Sequence, residues 1–210
     1  VEIKVIKLNE AHTELLEKFC NECGTLGFSN NSSLSAMKFN SKYDLDEVPT
    51  FFATLIDGEI ASVSGSHSFN SNDLRVGFRA AALPRFRGII KGLSKTHMTN
   101  LVWAPLMPEI ILDGLEQGYE NFYITTSHTT HDASGKMHRT HKALQLLAKQ
   151  KIVDFVKIET FYHVPQTKWK FNLNRFFETV KAFEPIRQEL NIMSYKYSLD
   201  NPIIEKYICY

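Results

Sequence analysis

The sequence predicts a mixed α/β domain, a sheet flanked by helices. Three features carry that prediction. Two apolar runs, TFFATLI and EIASVSGSHSF, flank Asp57-Gly58, and an Asp-Gly pair readily takes the positive φ angles that a tight hairpin needs. Stretches of helical spacing lie between strand-like runs along most of the chain. The chain has 210 residues, 43% of them hydrophobic, enough to build a core without disulfide or metal staples.

Taken in order, VEIKVIKL alternates Ile3 and Val5 with charged residues and reads as a strand. HTELLEKFCNECG has helical spacing and stops at Gly24. The Ser/Asn-rich run from Phe28 to Asp46 reads as a loop with a short helix. The hairpin follows, then LRVGFRAAAL as a further strand ended by Pro84, then the basic turn PRFRGIIKG. A helix is expected from about Pro108, with Glu109 in its first turn, to Gly118. ENFYITTS reads as a strand, MHRTHKALQLLAKQ as an amphipathic helix and VDFVKIETFYHV as one more strand. RFFETVKAFEPIRQEL reads as a helix whose Phe176, Phe177, Val180 and Phe183 form a stripe, docked on the domain or on a second subunit. The expected division is a domain over residues 1–172 and an extension over 173–210.

Composition excludes some classes. A formal net charge of +1 supplies no general field for nucleic acid. No run approaches the ~20 apolar residues that span a bilayer, and the first residues lack the layout of a signal peptide, so a cytoplasmic protein is expected. Cys20 and Cys23 fall within helical spacing and read as packed thiols. Trp103, Trp169, Phe161 and Tyr162, with Lys157, Lys168 and Lys170, could stack nucleobases; the alternation in KIETFYHV explains the same residues as a sheet face, the preferred reading.

In PRFRGIIKG the glycines let main-chain N–H groups converge, and Arg85, Arg87 and Lys91 could add contacts to phosphate oxygens; a solvated basic loop is the plain alternative. Its position after a hairpin and a strand gives the segment more meaning. P-x-F-R-G-x-x-x-G, carried by Pro84, Phe86, Arg87, Gly88 and Gly92, resembles the phosphate-binding turn of the GNAT superfamily of N-acyltransferases, roughly P-x-Y-R-G-x-G-x-G. The resemblance runs from Val1 to about Trp169. It implies a mixed, mostly antiparallel central sheet flanked by helices, the GNAT-like acyl-CoA N-acyltransferase fold. It also implies acetyl-CoA or another acyl-CoA as co-substrate. By position, Leu83, Arg85, Arg87, Gly88, Ile89, Ile90, Lys91 and Gly92 would bind it. Two departures stand out. Ile90 occupies the middle glycine, and the stretch from Gly92 to ENFYITTS is longer than the pattern.

The acceptor implied is an amine, on a small molecule or a peptide, and a homodimer is an open possibility. Half of the eight histidines fall between Ser127 and His141, as the pairs His128/His131 and His138/His141. By the resemblance, ENFYITTS ends at the cleft where acyl group and amine meet. The family's usual acid, a tyrosine on the following helix, is missing from MHRTHKALQLLAKQ, and LRVGFRAAAL offers no carboxylate base. His128 is the candidate base and His141 the candidate acid, with a hydrogen-bonded core histidine as the alternative for each. Zinc would need three or four converging ligands, and with Asp132 the only nearby carboxylate no metal is expected. His67 is a further cleft candidate. A non-catalytic binding or assembly protein on the same fold is the other reading.

Overall fold

A computed structural model describes residues 1–25, 49–86, 89, 102–127, 131, 134, 135, 137, 139–161 and 164–208. One eight-stranded sheet runs through it. In chain order the strands are β1 (Ile3–Lys7), β2 (Thr50–Ile56), β3 (Glu59–Ser68), β4 (Asp73–Ala82), β5 (Asn121–Ser127), β6 (Val153–Phe161), β7 (Val164–Phe171) and β8 (Ile192–Met193). In space they lie β6-β7-β5-β4-β3-β2-β1-β8. Pairing is antiparallel except for β1–β8 and β4–β5. Asp57 and Gly58 close the β2–β3 hairpin with φ of 49° and 81°, the left-handed pair that matches strand twist.

The helices are α1 (Thr13–Thr25), α2 (Leu106–Glu116), α3 (Arg139–Lys149), α4 (Leu173–Ala182), α5 (Glu184–Glu189) and α6 (Pro202–Glu205). They divide the apolar residues into two cores, one on each face of the sheet. Leu16, Phe19, Cys20 and Cys23 of α1 pack on Phe51, Ala61, Val63 and Phe78. On the other face, Leu106 and Ile110 of α2, Leu144 and Leu147 of α3, and Phe176 and Phe177 of α4 pack on Leu74, Val76, Phe122 and Phe171. The alternation along each strand sets this up: neighbours Phe51 and Phe52 point into opposite cores.

The structure corrects two expectations. VDFVKIETFYHV is not a single strand: β6 ends at Phe161 and Val164 already belongs to β7, its antiparallel partner. The predicted helix over RFFETVKAFEPIRQEL is broken at Phe183, because Pro185 in the first turn of α5 cannot continue the ladder of α4. The end of the chain is tied down by a buried carboxylate. Glu109 on α2 accepts the backbone N–H groups of Tyr195, Lys196 and Tyr197 at 2.5, 2.9 and 3.0 Å.

Candidate active site

β4 is a bent strand. Two register shifts against β3 each place an extra residue on β4, and Gly77 and Arg79 carry φ of 73° and 52°. Bulges of this kind bend the strand that holds the extra residue. On its other side β4 pairs with β5 only at Asp73–Asn121, Leu74–Phe122 and Arg75–Tyr123. Beyond that point β4 follows β3 to Ala82, while β5 follows β7 to Ser127. The two parallel strands therefore part inside the sheet and leave a cleft between their C-terminal halves. A Cβ on Gly77 would lie 2.9 Å from Cδ1 of Ile124 on β5, so the bulge also needs a residue without a side chain.

The turn after β4 grows out of this bent strand. Leu83 is buried, and its N–H donates to the Ala61 carbonyl at 2.9 Å. A single 3-10 turn spans Pro84–Phe86, and the Ile89 N–H closes on the Phe86 carbonyl at 3.1 Å. Arg85 lies across the Phe86 ring, 4.0 Å from its centroid. Its guanidinium is paired with Glu22 of α1 at 2.9 Å and with Glu59 of β3 at 2.7 Å. These carboxylates and their hydrogen bonds hold the Arg85 pKa above its ordinary value, and its charge is met by the protein itself. Arg87, Gly88, Ile90, Lys91 and Gly92, the rest of the expected phosphate turn, lie outside the described residues.

His141 stands at the far side of the cleft, in the first turn of α3, and is 3% exposed. Its Nε2 is 2.6 Å from the carbonyl oxygen of Ser127, the last residue of β5. A carbonyl only accepts, so Nε2 carries the proton and donates it. In a neutral ring with that proton, Nδ1 would hold the lone pair. His128 and His138 lie outside the described residues, and His131 is exposed in an isolated bridge with Met137. Among the described residues no group of three His, Cys, Asp or Glu side chains could hold a metal ion.

His67 is buried on β3 opposite Arg75. Its ring meets Phe69 and Phe78 edge-on at 5.5 and 4.9 Å. Burial, with Arg75 beside it, pushes its pKa down to about 4, against the opposite pull of the Ser68 carbonyl, so the ring is neutral at pH 7. Past it, the face of β5, β7 and β6 opposite α2 and α3 carries a group that sequence reasoning did not assemble. Phe69 stacks on Phe161 at 4.9 Å and lies 6.3 Å from Tyr123, and Lys168 sits among the three rings. No local spacing signals this cluster, because its members come from three strands and the turn after β3.

Other sequence candidates are structural. Trp103 is buried in the core and Trp169 packs against it, leaving neither indole placed to stack a base. Cys20 and Cys23 are buried thiols outside any disulfide, whose pKa values burial pushes up to about 12 and 11, which makes them inert as nucleophiles.

No protein-family model matches the chain, and no curated protein sequence does. Solved structures do. The aminoglycoside 6'-N-acetyltransferase from Enterococcus faecium aligns at a TM-score of 0.51 and 11% identity, over 79% of this chain and 94% of that one. An acetyltransferase assigned to the GNAT family from Desulfovibrio desulfuricans aligns at 0.51 and 9%, over 80% and 98%. Likeness at this identity defines a class by fold: the chain has the fold of the GNAT acyl-CoA N-acyltransferases. Among the described residues no helix is long and apolar enough to cross a membrane.

Proposed function

We propose that the protein transfers an acyl group, in the first instance acetyl, from coenzyme A to an amine. The parting of β4 and β5 after Arg75–Tyr123 carries the reading. It opens the sheet between the C-terminal halves of two parallel strands, at a site where amide and thioester chemistry needs N–H donors.

In this proposal the backbone from Arg87 to Gly92 cradles the coenzyme pyrophosphate, with Lys91 beside it. Arg85, its charge already met by Glu22 and Glu59, anchors the base of the turn to α1 and β3, and Leu83 and Ile89 fix its two ends. The amine attacks the thioester carbon, and the oxyanion that forms is held by N–H groups of β4. The tetrahedral species then expels the thiolate, which takes a proton as the amide forms. His128 is the candidate base. His141 suits a relay: Nδ1 can accept a proton, and the resulting imidazolium, steadied by the Ser127 carbonyl, can return it to the thiolate.

A second reading has its own support. α3 contains no tyrosine and Ile90 replaces a turn glycine, so a protein that uses the cleft only to bind is the competing proposal. Release of free thiol from acetyl-CoA in the presence of a pool of amines separates the two. Arg87→Glu should abolish coenzyme binding; unchanged binding would show the phosphate turn to be misplaced.

A cytoplasmic location belongs to the same proposal; cell fractionation tests it. So does a homodimer, through the edge strand β6, where Phe155, Val156 and Ile158 are exposed. Turned antiparallel on itself about Ile158, β6 sets Lys157 opposite Glu159, and sedimentation of the Ile158→Lys variant tests the pairing.

A further inference from the structure

The geometry points to Lys168 as the residue that recognises a carboxylate on the acceptor amine, an inference that rests on the acyl-transfer reading of the cleft. The first ground is position. Tyr123 is the last β5 residue paired with β4, and Nζ of Lys168 lies 4.2 Å from the centre of its ring. The ammonium thus stands beside the point where the cleft opens. It is on the face of the sheet away from α2, α3 and α4, whose apolar residues fill the core on the other side.

The second ground is an unused hydrogen-bonding capacity. The Lys168 side chain is 12% exposed, and the rings of Phe69 and Phe161 close around it at 4.8 and 5.9 Å. The nearest carboxylate oxygen, Oε2 of Glu159, is 3.7 Å away, too far for a hydrogen bond. That oxygen is itself buried without a hydrogen-bond partner, while Oε1 of Glu159 is met by Lys157 at 3.1 Å. Among the described residues Lys168 donates no hydrogen bond. An ammonium that is mostly desolvated, faced by three rings and by one carboxylate oxygen beyond hydrogen-bond reach, keeps its N–H donors for an arriving anion.

The third ground is shape and chemistry around it. The stacked Phe69 and Phe161 offer a flat apolar wall, so the acceptor that fits is a small amine bearing a carboxylate, with an apolar body between or beside the two groups. A plain cationic acceptor such as a polyamine is disfavoured, because Lys168 repels it.

The test uses two acceptor pools with purified full-length protein: the standard amino acids with short ω-amino acids, and the matching carboxamides. Thiol release from acetyl-CoA is the readout, and acetyl-CoA binding is measured separately by titration. The carboxylate pool should be acylated about tenfold or more faster than the amide pool, the range expected for one charge-assisted contact. Lys168→Met should bring the ratio near one and leave acetyl-CoA binding unchanged, and Lys168→Arg should retain most of the preference. Equal rates for both pools, or a preference that survives in Lys168→Met, would each overturn the proposal while leaving acyl transfer standing. Acylation of neither pool, or no binding of acetyl-CoA by the wild-type protein, would instead strike the acyl-transfer reading, and the proposal with it.

Discussion

Arg75 and Tyr123 are the last Cα partners shared by β4 and β5. That pair fixes where two parallel strands stop being neighbours. Two residues further along β4, Gly77 turns the chain with a φ of 73°.

Gly77→Val should therefore affect the cleft before it affects the fold. The new Cβ meets Ile124, and the positive φ is strained for a branched residue, a cost of about 1–3 kcal/mol. Acetyl-CoA affinity should drop about tenfold or more. Gly58→Ala is the control: it also carries a positive φ but has nothing within 4 Å of an added Cβ, and it should lose stability with no change in affinity. Equal affinities in the two variants would detach the bulge from the binding slot.

His141→Ala tests the proton relay. If Nδ1 carries protons, turnover should fall about 10²–10⁴-fold while thermal stability and coenzyme affinity hold. If the ring only ties α3 to the end of β5, the loss will appear in thermal stability and turnover of the folded variant will persist.

His67 predicts an acid-side loss of stability. Its folded pKa is about 4, below the unfolded value near 6.5. Above pH 6.5 both states are neutral and the group adds no pH dependence. As pH falls from 6.5 towards 4 the unfolded chain takes up a proton that the folded one refuses, at a cost on the order of 3 kcal/mol. Urea midpoints between pH 7 and 4 should fall steeply in the wild type and less so in His67→Gln. Parallel curves would assign the acid slope to other groups.

Glu109→Gln tests the carboxylate that fastens the end of the chain to α2. Both carboxylate oxygens accept from the three successive N–H groups, and a glutamine would turn an NH₂ donor towards them. A loss of about 2 kcal/mol or more is expected from the unsatisfied donors, read as a lower urea midpoint. Burial pushes the Glu109 pKa up, against those N–H donors and Arg187. Its contribution to stability therefore declines as pH rises from the ordinary carboxylate value through its raised one.

The fold was legible in the sequence where the signals were local. Asp57-Gly58 declared its hairpin, the spacing of Leu16, Phe19 and Cys23 declared α1, and Gly118 with a φ of 91° follows the helix that carries Glu109 in its first turn. β7 was missed because Pro165 and the polar run Gln166–Lys168 mask a strand that is held by β5 and β6 on either side. The cleft was placed by resemblance, whereas its physical cause, the paired bulges at Gly77 and Arg79, shows only as register. The Lys168 cluster could not be read at all, since it exists only after β5, β6, β7 and the turn that follows β3 come together.

The measurement that tests the central claim most directly is a calorimetric titration of the folded, ligand-free protein with acetyl-CoA, with ATP titrated in parallel. A coenzyme-binding cleft between β4 and β5 predicts saturable binding of acetyl-CoA in the micromolar range and much weaker binding of ATP. An absence of heat and of competition with acetyl-CoA, or equal affinity for both ligands, would contradict it.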